Sequence, residues 1–377
     1  MDSVKRTQLS RIRFQIQPTV SHYREPLVKR LLASKEFTYD LVGRPKNSEA
    51  SAADRIASAS AGVLSQVTPL KTRALGLLWW EAGQVAAVWR GDHSAYVLEG
   101  RIYTVSTWAA GALGKLLGRP VLLWGHGWKR SESGPKRLLR LAFYALMDGL
   151  LVYGDRAQEL GTEYGVPAEK IHVVYNSLYS QELLPPEPLL RSSTGDRPTL
   201  IYSSRLTTRH RLDVLAEALS AWPAELHVPR VIIIGDGSER PRLEKVFARA
   251  GVEATFLGAV YDFDELKEYY TQADAALAIG GAGLNVIQAL GFGVPVVAES
   301  GNRDSSPEIE AVIEGQTGRY FEAASPGSLR NTLITVLFAS AETHRMGENG
   351  LELVRERYTA EAHAAAIDAA LRRFLKS

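Results

Sequence analysis

The stretch GGAGLNVIQALGFGVPVVAESG, residues 280–301, places six glycines in a segment whose pattern predicts a turn, a helix and a buried strand. Free N–H groups and the positive end of the dipole at the start of a helix favour an anion, so a phosphate is the first candidate ligand. The backbone predicted to bind it comprises Gly281, Ala282, Gly283, Leu284 and Asn285. The alternative is a tight turn that only closes an α/β unit, where glycine is also common.

Short apolar runs alternate with helical patterns in both halves of the chain, which is typical of parallel α/β layers. The strands predicted in the first half are Arg13–Gln17, Thr38–Val42, Ala95–Leu98, Val121–Trp124, Gly149–Tyr153 and Ile171–Val174. Those in the second half are Thr199–Ser203, Arg230–Ile234, Ala254–Leu257, Ala275–Ala278 and Val294–Ala298. The pattern therefore predicts two Rossmann-like, doubly wound domains whose strand ends face a central cleft.

The domain boundaries follow from composition. Residues 181–198 are rich in proline, serine and threonine, which makes a continuous helix or strand improbable there and indicates a linker. The first domain is then expected over residues 1–180 and the second over 199–360. The final stretch, 361–377, is Ala-rich with apolar residues at helical spacing, and we expect a closing helix that packs back on the first domain.

Composition excludes several classes of protein. The 377 residues carry a net charge of only +2, which does not favour a nucleic-acid binder. The chain has no cysteine, which excludes disulfides, thiolate metal sites and a Cys nucleophile. No run has the length of a signal-peptide core or a membrane span, so we expect a cytoplasmic protein.

The order of motifs in the second half resembles the donor domain of GT-B glycosyltransferases, in particular the large, mostly retaining family 4. The motifs are HVVYNSL (172–178), IYSSRLTTRHRLDVLAEAL (201–219), VIIIGDGSERPRLE (231–244), ATFLGAV (254–260), YYTQADAALAI (269–279), the opening stretch, and SPEIEAVIEGQTGRYFE (306–322). The first half resembles the family more loosely, through QPTVSHYREPLVKRLL, WGHGW and MDGLLVYGDRAQEL. The resemblance implies a nucleotide diphosphate sugar as co-substrate.

Cations and amides directed at the diphosphate assist its departure from the sugar. The family's phosphate-binding Arg corresponds to Arg205, which directly follows Ser204 after a strand, whereas the family's Lys is replaced by His210. Arg209 and Arg211 flank this histidine and are candidates for the missing charge. The resemblance also implies backbone approach to the nucleotide at Gly235 and Gly237, and reading of the base near Val260; an ordinary loop is the alternative at Val260.

The opening stretch departs from the family in two places. The family carries two Glu separated by seven residues, and this chain has Gly280 and Gln288 at those positions. The second family Glu binds the ribose hydroxyls, a role that the amide of Gln288 can keep because it both accepts and donates hydrogen bonds. Gly280 cannot replace a carboxylate near the donor sugar, so sugar recognition or stereochemistry is open to change.

In the first half, His126 lies in WGHGW at the end of an apolar strand, where the family's His contacts the donor sugar near its reacting carbon. Glu99 and His22 also fall near strand ends and are the candidate bases if the reaction inverts, with a capping or ion-pair role open for Glu99. The residues predicted to contact the acceptor are Tyr23, Arg24 and Trp128.

Two segments border apolar faces with basic residues, namely LKTRALGLLWW (70–80) and GWKRSESGPKRLLRLAFYALMDGL (127–150). This composition is typical of an interfacial anchor, or of an ordinary amphipathic surface helix. The cations expected to attract anionic lipid are Lys129, Arg130, Lys136, Arg137 and Arg140. The first interpretation predicts peripheral contact with the inner face of the membrane.

The sequence as a whole predicts a glycosyltransferase that moves a sugar to a lipid-linked or growing glycan acceptor, with retention of configuration favoured. No metal is expected, because no paired-carboxylate motif follows a strand and the cations of the second domain can neutralise the phosphates. The alternatives are a GT-B nucleotide-sugar epimerase and a nucleotide-sugar-binding partner subunit without turnover. A dinucleotide oxidoreductase is disfavoured, since no G-x-G-x-x-G follows the first strand.

Overall fold

The computed structural model describes residues 9–44, 57–189 and 197–376. The chain forms two compact units. Among the described residues, the first unit contains 9–44, 57–177 and 360–376, and the second contains 178–189 and 197–359.

The first unit is built on a seven-stranded parallel sheet. Its strands are β1 (Ser10–Ile16), β2 (Phe37–Gly43), β3 (Thr68–Pro69), β6 (Ala95–Glu99), β7 (Val121–Gly125), β8 (Gly149–Val152) and β9 (Ile171–Val173), and the separate hairpin is β4 (Thr72–Leu75) with β5 (Leu78–Glu81). The helices are α1 (Glu25–Leu32), α2 (Ala61–Leu64), α3 (Gln84–Arg90), α4 (Val105–Leu117), α5 (Gly134–Ala145), α6 (Asp155–Glu163) and α13 (Ala360–Lys376). The strand order is β3-β2-β1-β6-β7-β8-β9, so the order reverses between β1 and β6.

The second unit carries a six-stranded parallel sheet in the order β12-β11-β10-β13-β14-β15. Its strands are β10 (Thr199–Ser203), β11 (Arg230–Ile234), β12 (Ala254–Gly258), β13 (Ala275–Ala278), β14 (Val296–Glu299) and β15 (Gly318–Phe321). The helices are α7 (Asp213–Ser220), α8 (Arg240–Arg249), α9 (Phe263–Tyr270), α10 (Leu284–Gly291), α11 (Pro326–Phe338) and α12 (Ser340–Arg357). This is the strand order of a Rossmann fold, with its switch point between β10 and β13.

The prediction of two doubly wound α/β domains is confirmed. Near-continuous apolar runs such as VIII in β11 form central strands because helices cover both faces of a parallel sheet. Strand β14 begins two residues later than predicted, because the Val294 N–H donates to the Ala289 carbonyl oxygen at 2.9 Å and closes the preceding helix first. The sequence analysis did not identify β15, β3 or the β4–β5 hairpin.

Part of the predicted linker belongs to the second unit. Leu184 is buried there, and the Leu189 N–H donates to the Phe292 carbonyl oxygen at 2.9 Å. Pro188 packs against Gly293. Residues 181–183 form a short 3-10 helix, and residues 181–189 belong to the second unit instead of forming a separate linker. Residues 190–196 lie outside the described part.

The final helix, α13, is part of the first unit and contacts α1 and β8. Ile367 and Leu371 are completely buried in the core of that unit. The Asp368 carboxylate accepts hydrogen bonds from the hydroxyls of Tyr39 and Ser34. Polar and apolar contacts thus both fix this helix on the first unit.

Within the described ranges, no helix is both long enough and apolar enough to cross a membrane.

Candidate functional site

Three loops meet at the carboxyl edge of the second sheet, at its switch point. They follow the neighbouring strands β10, β11 and β13 and comprise residues 204–212, 235–239 and 279–283. In open parallel sheets ligands bind outside the carboxyl ends of the strands at this point. We call residues of these loops, with the first turn of α10, the donor edge.

Gly280 brings two of the loops into backbone contact. Its φ is +72°, and a Cβ atom there would lie 2.2 Å from the Cα of His210 and 2.5 Å from the carbonyl oxygen of Arg209. No side chain fits in this space. The absence of the family's first Glu at this position is therefore a requirement of the packing in this chain.

Gly235 and Gly237 serve the same kind of contact. A Cβ at Gly235, whose φ is +135°, would lie 1.9 Å from the carbonyl oxygen of Ser204, and one at Gly237 would lie 2.2 Å from that of Leu206. The Leu206 N–H donates to the carbonyl oxygen of Asp236 at 3.0 Å. These glycines let the backbone of one loop approach that of another, and their approach to the nucleotide stays a prediction.

His210 is buried and neutral. Its Nδ1 lies 2.8 Å from the Thr207 hydroxyl, and its Nε2 lies 3.3 Å from the Ser204 hydroxyl. Burial, together with the nearby charges of Arg209 and Arg205, lowers the pKa of His210 to about 4. A neutral imidazole is a weaker phosphate partner than the family's Lys, and donor contact by His210 stays a prediction.

The positive charge of the donor edge comes from three arginines. Arg205, Arg209 and Arg211 are exposed, in contrast to His210. The charges of Arg209 and Arg205 both contribute to the low pKa of His210, and Nε of Arg209 lies 3.4 Å from Nε2 of that ring. An anion at this edge would meet cations on solvent-exposed side chains.

The first turn of α10 supplies backbone N–H groups next to these cations. Within the turn, the N–H of Ala282 donates to the Ser305 hydroxyl at 3.1 Å, and that of Gly283 donates to Oδ1 of Asn285 at 2.8 Å. The N–H groups of Gly281, Leu284 and Asn285 have no acceptor within the described chain. Of the five residues whose backbone is predicted to bind phosphate, three have an N–H group free to do so, and the N–H groups of the other two are already bonded.

Glu299, which the sequence analysis did not identify, stabilises the glycine turn through hydrogen bonds from its carboxylate. Its Oε2 accepts hydrogen bonds from the Gly280 N–H at 2.9 Å and from Nδ2 of Asn302 at 2.6 Å. Its Oε1 accepts from the N–H of Ala324 at 3.0 Å. Position at the end of a strand was the only available signal for this residue.

Gln288 lies on α10 inside a hydrogen-bond network. Its Oε1 accepts from the Ser203 hydroxyl at 2.8 Å, and its Nε2 donates to the Tyr179 hydroxyl at 3.0 Å. The Tyr270 hydroxyl lies at 3.4 Å from the same Oε1. These bonds orient the amide and leave one N–H of Nε2 for a ligand. Ribose binding by Gln288 stays a prediction.

Val260 is half-buried in the loop between β12 and α9, and its contact with the base also stays a prediction.

At the carboxyl edge of the first sheet, His126 follows β7. Its ring lies 5.1 Å from that of Tyr153, centroid to centroid. Burial and the charges of Lys129 and Arg24 lower the pKa of His126 to about 3, so the imidazole is neutral near pH 7. Its ring forms no hydrogen bond among the described residues, which leaves a nitrogen able to bond a ligand hydroxyl.

Arg24 does not present its charge to an acceptor. It is 3% exposed and donates to the Gln17 carbonyl oxygen at 3.0 Å, to Asn176 Oδ1 at 2.6 Å and to the Tyr153 hydroxyl at 2.9 Å. The predicted acceptor contact is corrected: this guanidinium ties the ends of three chain segments together.

Trp128 is 1% exposed and packs edge-on against Tyr144, with ring centroids 4.7 Å apart. It belongs to the core, which corrects its predicted acceptor role. Tyr23 is half-buried, with its ring 5.1 Å from the Arg24 guanidinium, and is the one of the three predicted acceptor contacts that remains accessible.

The two candidate bases differ in their surroundings. Glu99 is buried and forms an ion pair with Arg44, with Nη2 and Oε2 2.6 Å apart, so the ion-pair role left open by the sequence is present. His22 is half-buried, with Nδ1 at 3.2 Å from the Ala57 carbonyl oxygen, and burial lowers its pKa. Because a carbonyl oxygen only accepts, the neutral tautomer carries its proton on Nδ1 and leaves Nε2 as the basic atom.

A buried polar cluster near these residues was also missed. The Glu81 carboxylate accepts from Nε2 of Gln15 at 2.9 and 3.0 Å and from Nε2 of Gln84 at 2.5 Å. Burial raises the pKa of Glu81 despite these bonds. Sequence pattern gives no signal for such a cluster, because its members come from a strand, a hairpin and a helix.

The described ranges contain no group of three His, Asp or Glu side chains placed to hold a metal ion.

Residues 191–353 match the family model of the glycosyl transferases group 1. The resemblance inferred from the motifs is thus confirmed over that range. The GDP-mannose-dependent alpha-(1-6)-phosphatidylinositol monomannoside mannosyltransferase of Mycobacterium tuberculosis is 28% identical over 198 residues, which are 48% of this chain and 50% of that protein. The chain therefore spans about half the length of the curated relatives it matches.

Solved structures resemble the whole chain in fold. The Anabaena protein Alr3699/HepE in complex with UDP has a TM-score of 0.68 at 15% identity and covers 97% of this chain and 100% of its own. The lipopolysaccharide outer core galactosyltransferase WaaB has a TM-score of 0.69 at 15% identity, with 97% and 99% covered. The fold is that of GT-B glycosyltransferases, as predicted.

Proposed function

We propose that this chain, a GT-B protein whose residues 191–353 form a group 1 glycosyl transferase domain, transfers a sugar from a nucleotide diphosphate to a lipid-linked or growing glycan acceptor. The observation that carries the proposal is the donor edge. Exposed Arg205 and Arg209 lie there beside a helix start with free N–H groups. Cations and amides at this position stabilise the negative charge of the departing diphosphate.

The donor is proposed to carry a nucleoside diphosphate whose base is either a purine, as in GDP, or a pyrimidine, as in UDP. The mycobacterial relative is by its name dependent on GDP-mannose, and the Anabaena neighbour was solved with UDP. Val260 and its loop are the proposed contact to the base. Gln288 is the proposed contact to the ribose, with its amide held by Ser203 and Tyr179.

The acceptor is proposed to be attached to a lipid, with the protein peripheral on the inner membrane face. The relative's name specifies a phosphatidylinositol-linked acceptor, which supports this class for the present chain. Exposed apolar and basic residues of the first unit support membrane contact as well.

We further propose retention of configuration without a metal. In retaining enzymes of this fold the leaving phosphate is thought to help deprotonate the acceptor, so no side-chain base is required. The Glu99 carboxylate is already engaged in an ion pair with Arg44, which supports retention without a side-chain base. Neutral His126 would position the sugar, and His22 is the base we would expect in an inverting enzyme.

The test is product analysis with panels of UDP- and GDP-sugars and a short-chain lipid-linked acceptor. The proposal expects acceptor-dependent release of nucleoside diphosphate, activity that persists in EDTA, and an anomeric proton coupling that matches the donor's configuration. Donor epimerised or hydrolysed without acceptor would indicate the epimerase. Donor binding with no turnover under any condition would indicate the partner subunit. An inverted product would contradict retention alone.

A further inference from the structure

The β4–β5 hairpin has two faces of opposite character. In its register Thr72 pairs with Glu81, Arg73 with Trp80, Ala74 with Trp79 and Leu75 with Leu78, and Gly76 and Leu77 form the turn. Side chains alternate between faces along a strand, so Arg73, Leu75, Leu78 and Trp80 share one face. Thr72, Ala74, Trp79 and Glu81 share the other.

The second face fixes the hairpin to the first unit. The Trp79 ring lies 3.9 Å from the Arg101 guanidinium and 5.3 Å from that of Arg44. The Trp79 N–H donates to the Tyr103 carbonyl oxygen at 2.9 Å. Glu81 is 1% exposed and lies in the buried polar cluster described above. The hairpin is therefore held in a defined orientation at its base.

The first face and the turn are apolar and open to solvent. Leu75 is 83% exposed, Leu77 77%, Leu78 50% and Trp80 44%. Such a concentration of large apolar side chains in eight residues indicates a contact surface, because single exposed residues are ordinary but a contiguous patch is not. We call this set the hairpin tip.

Basic residues accompany the tip. Arg73 lies on the same face, Lys71 precedes the hairpin, and both are exposed. Neither forms an ion pair within the described ranges. A convex apolar turn with a tryptophan and cations at its base matches the layers of an anionic bilayer, in which apolar groups insert and cations meet the head groups.

The other segment with a membrane-like composition, α5, is less suitable. Glu132 binds Arg140 through two hydrogen bonds of 2.7 and 3.0 Å, and it also pairs with Lys136 at 3.2 Å. Arg137 lies over the ring of Tyr164 at 5.1 Å. These cations are engaged within the protein, although Leu138 and Leu139 on the same helix are 64% and 48% exposed.

We propose that the hairpin tip inserts into an anionic membrane, with Lys71 and Arg73 contacting lipid phosphates. Helix α5 does not insert. The inference rests on the proposed function, because a lipid-linked acceptor is what brings the protein to a membrane. It adds which residues make the contact. A dimer formed through the tip or through the open edge of β4 is the competing occupant.

Because this chain has no cysteine, a matched pair of single-cysteine labels can be placed on it. Leu77→Cys and Leu138→Cys are each labelled with an environment-sensitive fluorophore and mixed with vesicles of phosphatidylcholine alone or with phosphatidylglycerol. We expect a blue shift and quenching by brominated lipid for the label at position 77 on anionic vesicles only. The label at position 138 should respond little. A response at 138 and none at 77 would overturn the assignment.

A second comparison uses unlabelled variants in vesicle sedimentation. Leu75→Ser combined with Leu78→Ser should weaken binding to anionic vesicles at least tenfold, whereas Leu138→Ser with Leu139→Ser should change it less than threefold. Equal losses in both double variants contradict the proposal. Light scattering gives a second check. The proposal is also contradicted if the wild-type protein is a dimer, and if the hairpin variants abolish this dimer but bind vesicles as the wild type does.

The same samples separate this inference from the proposed function. Binding of UDP or GDP and transfer to a soluble acceptor should survive in the hairpin variants, because the tip lies outside the donor edge. If vesicle binding does not depend on the tip but donor binding and transfer are intact, only the inference fails. If no nucleotide diphosphate binds the wild-type protein, the proposed function fails.

Discussion

At the carboxyl edge of the second sheet the loops touch through their backbones, whereas at the corresponding edge of the first sheet they are joined by long polar side chains. Gly235 and Gly280 allow the first arrangement, with approaches closer than any Cβ permits. Arg24, Gln17 and Tyr153 make the second, through buried hydrogen bonds. With this backbone contact the arginines of the donor edge are exposed, whereas Arg24 at the first edge is buried among its hydrogen-bond partners.

The largest expected effect tests the backbone contact. Gly280→Ala should lower the free energy of unfolding by about 2–5 kcal/mol, because a positive φ costs about 1–2 kcal/mol and overpacking about 1–3 kcal/mol. Gly315→Ala is the matched control, since its φ is +69° and nothing lies within 4 Å of the added Cβ. The Gly315→Ala variant should lose only about 1–2 kcal/mol, which is the cost of the positive φ. Equal losses in denaturant unfolding would mean that the contact with His210 does not matter.

The next prediction tests the cations that this packing leaves exposed. Arg205→Ala should weaken binding of nucleoside diphosphate by about 1.5–3 kcal/mol, the range for a charged hydrogen bond, without unfolding the protein. Arg242→Ala removes an exposed arginine of the same unit that pairs with Glu239 at 2.5 Å, and it should leave affinity unchanged. Calorimetric titration of both variants makes the comparison. Similar affinities in the two would remove Arg205 from the site.

His126 at the first edge and His210 at the second both have a lowered pKa, and their protonation should affect stability in the same direction. The folded pKa of His126 is about 3 and that of His210 about 4, both below the usual value of 6.5. The unfolded chain therefore binds more protons below pH 6.5, and stability falls as pH drops. Between pH 7 and pH 5 each histidine should cost about 2 kcal/mol. His126→Gln and His210→Gln should each flatten that fall, as measured by denaturant unfolding at both pH values; an unchanged slope would contradict the neutral assignment.

The smallest expected effect concerns the amide on α10. Tyr179→Phe removes the hydroxyl that accepts from Nε2 of Gln288, and a net hydrogen bond contributes about 0.5–1.5 kcal/mol. If that bond orients the amide towards ribose, affinity for the ribonucleoside diphosphate should fall roughly three- to tenfold, while that for its 2′,3′-dideoxy analogue should not change. A parallel loss for both ligands would place Gln288 away from the ribose.

The sequence predicted most of the strands and the turn that precedes α10. The alternation of apolar runs with helical patterns identified eleven strands, and several of their bounds, such as Thr199–Ser203 and Ala275–Ala278, agree with the structure. The glycine-rich stretch indicated the correct strand-to-helix turn. These features are local, so a short segment carries enough information to predict them.

The networks could not be predicted, because they join residues far apart in the chain. Arg24 and Trp128 were expected at an acceptor surface, but Asn176 and Tyr144 respectively hold them inside. Motif order also gave no sign that Gly280 was fixed by His210, since that contact exists only in the folded chain. A departure from the family's motif, such as Gly280 in place of Glu, can therefore be interpreted only once the packing around it is known.

The central claim is that the donor edge binds a diphosphate through the start of α10. The most direct measurement is an ¹H–¹⁵N NMR titration that follows the amide resonances of Gly281, Leu284 and Asn285 as UDP or GDP is added, with uridine and guanosine as controls. We predict saturable downfield shifts of these amide protons with at least one diphosphate and none with either nucleoside. Full saturation of the protein by a nucleoside diphosphate with no change at these three amides would contradict the account.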